Sequence, residues 1–136
     1  MNGGRIINNN ASSPPPVTNI ISRGGGIFLT YGGTFIMNGG EISGNTAYDY
    51  GGGVYVGGGI FNKTGGTILG YQDGNNNSNV VKNAAGLVQQ QRGHAVHVHH
   101  TNSFYIMGKD STSGPSDNLS IDATVDPPTW SGLWDY

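Results

Sequence analysis

The chain has 136 residues, enough for one domain with a usable core, and carries a formal net charge of -2 with only 10% charged residues. That balance argues against a nucleic-acid partner and a polybasic membrane patch, and no apolar run reaches the ~20 residues of a membrane span. Cysteine is absent, which excludes disulfides and thiolate metal sites, and the 25 glycines lack the Gly-X-Y period of collagen.

The chain opens with Met1-Asn2-Gly3-Gly4-Arg5-Ile6, which has no apolar stretch behind it and is not a signal peptide. The same string recurs as Met37-Asn38-Gly39-Gly40-Glu41-Ile42, an offset of 36 residues. The extra length fits a loop around Ser12-Ser13-Pro14-Pro15-Pro16-Val17, because proline cannot donate to a strand ladder. Next come Gly24-Gly25-Gly26-Ile27-Phe28-Leu29 and, 27 residues on, Gly51-Gly52-Gly53-Val54-Tyr55-Val56. Phe35 and Phe61 head two units 26 residues apart, the second running Phe61-Asn62-Lys63-Thr64-Gly65-Gly66-Thr67-Ile68. Each unit holds three short extended segments, at Phe35–Met37, Glu41–Ser43 and Val54–Val56, punctuated by glycine or asparagine turns. A polar stretch from Tyr71 to Arg92 reads as an excursion, its Ala84–Gln89 piece being open to helix or strand. A degraded copy follows at Gly93-His94-Ala95-Val96-His97-Val98 and Phe104-Tyr105-Ile106-Met107.

Three strands in about 26 residues describe one coil of a solenoid, so the repeat predicts an all-β, three-sided, right-handed parallel β-helix. Residues 1–70 form its regular coils, 71–92 the excursion, 93–122 degraded terminal coils and 123–136 an aromatic C-terminal cap. Alignment places Ile6, Ile42 and Ile68 in one inner column, with Ile27, Val54 and Val96 in a second and Leu29, Val56 and Val98 in a third. Phe35, Phe61 and Phe104 stack at a corner, and Phe28, Tyr55 and His97 fall on the outer face. Arg5 and Glu41 are expected to pair across coils. Lys63 aligns with Met37 and Ile106, which puts its column at an edge or makes the side chain reach solvent.

The string Phe-x-Met-x-Gly-Gly-x-Ile-Ser-Gly-Asn-x-Ala from Phe35, followed by Gly-Gly-Gly-Val-Tyr-Val, resembles glycine-rich right-handed parallel β-helix repeats in surface proteins of spirochaetes and of gut bacteria and archaea. The resemblance implies an extracellular or cell-surface scaffold of adhesin-like type, with no catalytic residues to carry over. Met1 falls where Met37 stands inside a repeat, so we expect a fragment, a processed product, or a subunit whose first coil is covered by something else.

Candidate chemistry is sparse. His94, His97, His99 and His100 lie within seven residues; His97 and His99 share a strand face and could hold a metal with a carboxylate, although an ordinary polar face explains them as well. The eight acidic residues are scattered, without the paired carboxylates of a glycosidase. No catalytic site and no cofactor are therefore expected. Asn10, Asn62, Asn76 and Asn118 begin Asn-x-Ser/Thr triplets. Trp130, Trp134 and Tyr136 either cap the last coil or dock on another subunit. The leading expectation is a non-catalytic extracellular structural protein, a homo-oligomer or homopolymer that stacks head to tail through its ends. The alternatives are a glycan- or surface-binding module, with Phe28, Tyr55 and His97 against sugar rings, and a polysaccharide lyase-like enzyme.

Overall fold

The computed structural model describes residues 1–12, 22–99, 106–125 and 127–135. Among them the chain is all β. Its strands are β1 (Asn2–Ile7), β2 (Asn10–Ala11), β3 (Ile27–Leu29), β4 (Thr34–Ser43), β5 (Thr46–Ala47), β6 (Val54–Val56), β7 (Ile60–Ile68), β8 (Val80–Val81), β9 (Val96–His99), β10 (Ile106–Lys109), β11 (Leu119–Asp122) and β12 (Thr129–Gly132). They pair into a five-stranded sheet β1-β4-β7-β11-β12, a four-stranded sheet β10-β9-β6-β3 and a three-stranded sheet β2-β5-β8.

The expected three-sided parallel β-helix is not what forms. The strands make three separate small sheets, none closed or curled into a solenoid. Two of the sheets are mixed, because β9–β10, β7–β11 and β11–β12 pair antiparallel. The physical reason lies after β9. A solenoid requires every strand to restart in the same direction, whereas Ile106–Lys109 runs back along β9 and Leu119–Asp122 runs back along β7. Ile106 is therefore no parallel copy of Met37 and Lys63. The descriptions of the chain as a parallel β-helix, a solenoid and an adhesin-like surface protein fall with that architecture.

Within the parallel part the register runs as follows. Ile6 lies opposite Ile42, and Ile42 opposite Ile68. Ile27, Val54 and Val96 share one row, and Leu29, Val56 and Val98 another. Phe35 pairs with Phe61, their rings stacked at 6.1 Å; Phe104 lies outside the described residues. Ile42, Val54, Val56, Phe61, Ile68, Val96 and Val98 are buried in one cluster, against which Ile6 and Phe35 pack partly exposed.

The segmentation differs from expectation in two places. Phe35–Met37 and Glu41–Ser43 belong to one ten-residue strand, β4, whose register shifts around Asn38. Gly40 sits there at φ 94°, and a side chain on it would meet the carbonyl oxygen of Gly4 at 2.5 Å. Gly4 and Gly66, at φ 82° and 76°, repeat the bend in β1 and β7. The Tyr71–Arg92 stretch is more than an excursion, because Val80-Val81 is the third strand of the smallest sheet. Ala84–Gln89 is neither helix nor strand: Asn83 Oδ1 accepts the Ala85 and Leu87 N–H groups in a tight turn, and Lys82 bridges Val88.

Candidate assembly edges and the ladders behind them

Each parallel pair leaves polar groups that only a neighbouring strand or a side chain can satisfy. Between the five- and three-stranded sheets they are met by stacked asparagines. Asn45 Oδ1 accepts the Asn9 backbone N–H at 3.0 Å and Asn9 Nδ2 at 2.9 Å. Asn45 Nδ2 in turn donates to Ile6 O and to Asn79 Oδ1. Asn79 repeats the pattern on Ile42 O and ends it on Leu69 O at 2.6 Å. Asn45 and Asn79 are fully buried. The ladder is directional, closed at Asn79 by a main-chain carbonyl. At Asn9 it is open among the described residues, since no partner accompanies its Oδ1. A second, exposed ladder runs from Thr64 through Asn38 to Asn2.

The glycine corners give the four-stranded sheet the same polarity. Gly24 and Gly25 donate to the carbonyls of Tyr50 and Gly51, while Gly51, Gly52 and Gly53 donate to those of Arg92, Gly93 and His94. At the last level Asp110 replaces the missing carbonyls, accepting from Gln91 N at 2.6 Å, Gly93 N at 2.8 Å and His94 N at 3.0 Å. The tail then straps β10: Asp135 N donates to Gly108 O, and the Asp135 carboxylate accepts from Ser111 N and pairs with Lys109 at 3.3 Å. Those contacts hold the Asp135 carboxyl below the usual carboxylate range against its burial. Trp134 packs on the core cluster, and its Nε1 donates to Ser131 O.

The two ends therefore differ. At one end lie the edge strands β1, β2 and β3, with Asn2 to Arg5 exposed. At the other, Asp110, β10 and the tail close the four-stranded sheet. The five-stranded sheet instead ends on β12, an edge strand exposed at all four residues, with Trp130 47% accessible.

The aromatic row expected on the outer face is a stack, but a largely buried one. Phe28 lies on Tyr55 at 5.2 Å, and Tyr55 on His97 at 5.7 Å. Phe28 is half-exposed, whereas Tyr55 and His97 are buried, so neither ring offers a face to a sugar. Burial pushes the Tyr55 hydroxyl up and His97 down to about 3. His99 ends β9, half-buried; His100 and Tyr136 lie outside the described residues. Among the described residues no group of three or more His, Asp or Glu side chains could hold a metal ion. His94 is buried, with its Nδ1 accepting the Val81 N–H at 2.9 Å.

Lys63 is neither at an edge nor reaching solvent. It is fully buried, and Nζ donates to Gly114 O at 2.7 Å and Asp117 O at 2.8 Å. Burial lowers its pKa. The signal that could have found this role was the departure of one lysine from an apolar column. The asparagine ladder was also legible, in the Ile-x-x-Asn spacing shared by Ile6/Asn9 and Ile42/Asn45. Arg5 and Glu41 pair at 3.3 Å on the surface.

The chain is thus an all-β protein of three small sheets, parallel at one end and turned back on itself at the other. No protein-family model, no curated protein and no solved structure matches it.

Proposed function

We propose that the chain is a non-catalytic structural module that joins copies of itself head to tail through the two open edges of its five-stranded sheet. The observation that carries this reading is that β1 and β12 end the same sheet among the described residues, β1 exposed from Asn2 to Arg5 and β12 at all four residues. β12 is antiparallel to β11, which is antiparallel to β7, so β12 runs in the direction of β1. The sheet can therefore continue from β12 of one copy to β1 of the next as another parallel pair. A contact of this kind does not close on itself and generates a filament. It uses one sheet alone, because Asp110, β10 and the tail block the four-stranded sheet at that end.

An extracellular setting is part of the proposal, and fractionation of native material tests it. Sedimentation and electron microscopy of the purified chain test the assembly. Concentration-dependent linear oligomers are expected, and Trp130→Lys, which sets a charge on β12, is expected to abolish them while leaving the circular dichroism unchanged. A wild-type chain that stays monomeric at high concentration overturns the reading.

A further inference from the structure

Outside these edges, one cluster of charged and aromatic side chains stands beside the four-stranded sheet, at the corners that lead into β3, β6 and β9. Arg23, Tyr50 and Arg92 each stand directly before a corner glycine, Gly24, Gly51 and Gly93, at φ 67°, 68° and 67°. Gly24 N donates to Tyr50 O and Gly51 N to Arg92 O, so the three residues occupy equivalent places on successive levels. Their side chains form a ladder: the Arg23 guanidinium lies 5.8 Å and the Arg92 guanidinium 4.5 Å from the centre of the Tyr50 ring. The two arginines stand two levels apart, about 10 Å at the ordinary strand spacing, with the Asp49 carboxylate 3.0 Å from Arg23.

The two arginines are not equally occupied. Arg23 Nε donates to Asp49 Oδ2 at 3.0 Å and Nη1 to the Tyr55 hydroxyl at 3.1 Å. Arg92 is half-buried, and among the described residues no carboxylate or carbonyl accepts from its guanidinium. Stacking on Tyr50 orients the group and reduces the freedom lost when a ligand binds, while its in-plane N–H donors stay available. A planar fork of donors fits a carboxylate or sulfate in two parallel hydrogen bonds. Tyr50 is already stacked on His97 at 4.3 Å as well as beneath Arg92, which leaves it poorly placed to receive a nucleic-acid base.

We propose that the Arg23–Tyr50–Arg92 ladder binds a linear anionic polysaccharide, with Arg92 as the principal contact to a carboxylate or sulfate group and Arg23 as the second point of attachment. The test is calorimetric titration of the full chain, at low salt, with oligogalacturonate, dextran sulfate, neutral dextran and a single-stranded oligonucleotide. Binding is expected for one or both anionic saccharides, the pair distinguishing carboxylate from sulfate, and none for neutral dextran. Arg92→Gln is expected to weaken binding about tenfold or more, Arg92→Lys less, because it keeps the charge and loses the fork. Arg5→Gln, in the ion pair with Glu41, serves as the control and leaves binding unchanged. Binding to neither anionic saccharide overturns the proposal. So does an Arg92→Gln chain that keeps its melting temperature and full affinity, or an oligonucleotide that binds as tightly with the same Arg92 dependence.

Discussion

The β1–β2–β3 end and the opposite end are built from the same repeat and finish in different ways. At the first, strand edges and the Asn9 Oδ1 are without partners among the described residues. At the second, a carboxylate, an antiparallel strand and the tail replace the neighbour that another parallel level would have supplied. A parallel stack has no internal means of stopping, because each level satisfies the one before and exposes its own groups. Termination needs residues outside the repeat, and here Asp110 and Asp135 supply it. β12 is the exception, and among the described residues it leaves one open edge at each end of a single sheet.

The largest test of this contrast compares the interior of the asparagine ladder with its open end. Asn45→Ala strands the backbone N–H and side-chain amide of Asn9 and the Ile6 carbonyl, leaving Asn79 Oδ1 only the Asn45 backbone N–H, and is expected to cost about 3–5 kcal/mol in denaturant unfolding. Asn9→Ala removes one end of the same ladder and is expected to cost about 1 kcal/mol; equal losses would mean that the ladder has no open end. Asp110→Ala exposes three N–H groups at the closed end and is expected to cost about 2–3 kcal/mol. A loss below about 0.5 kcal/mol would remove Asp110 as the terminator.

His97 gives a pH test of the closed side. Its folded pKa, about 3, lies below the ordinary 6.5, so the unfolded chain takes up the proton first. Stability is fully present above pH 6.5 and falls as the pH drops toward 3, by about 1.4 kcal/mol per unit. His97→Phe keeps the stack and removes this term, so at pH 5 it is expected to gain about 2 kcal/mol relative to its effect at pH 7. Burial lowers His94 too, and part of the acid slope remains. The smallest effect belongs to Arg5→Ala at the open edge. Its ion pair with Glu41 is mostly exposed, and the change is expected to stay within about 0.5 kcal/mol and to shrink with salt.

Much of the local pairing was legible in the sequence. Ile6, Ile42 and Ile68 could be aligned because a strand presents alternate residues to one face, and a glycine that must take positive φ marks the same bend at every level. The candidate sites were less legible. Tyr55 and His97 follow the alternation, yet both faces of β6 are covered, and alternation carries no information about what lies on the second face. Lys63 broke the column pattern, but its partners, Gly114 and Asp117, lie more than 50 residues away.

Taken alone, the sequence determined the all-β class, the rows of like residues and the glycine bends, because these depend on short-range sterics and on the two-residue period of a strand. Tertiary structure decided the direction of β10, β11 and β12, the three separate sheets in place of a solenoid, and the burial of Tyr55, His97 and Lys63. A parallel and an antiparallel strand show the same alternation of side chains, so only contacts between distant segments can choose between them.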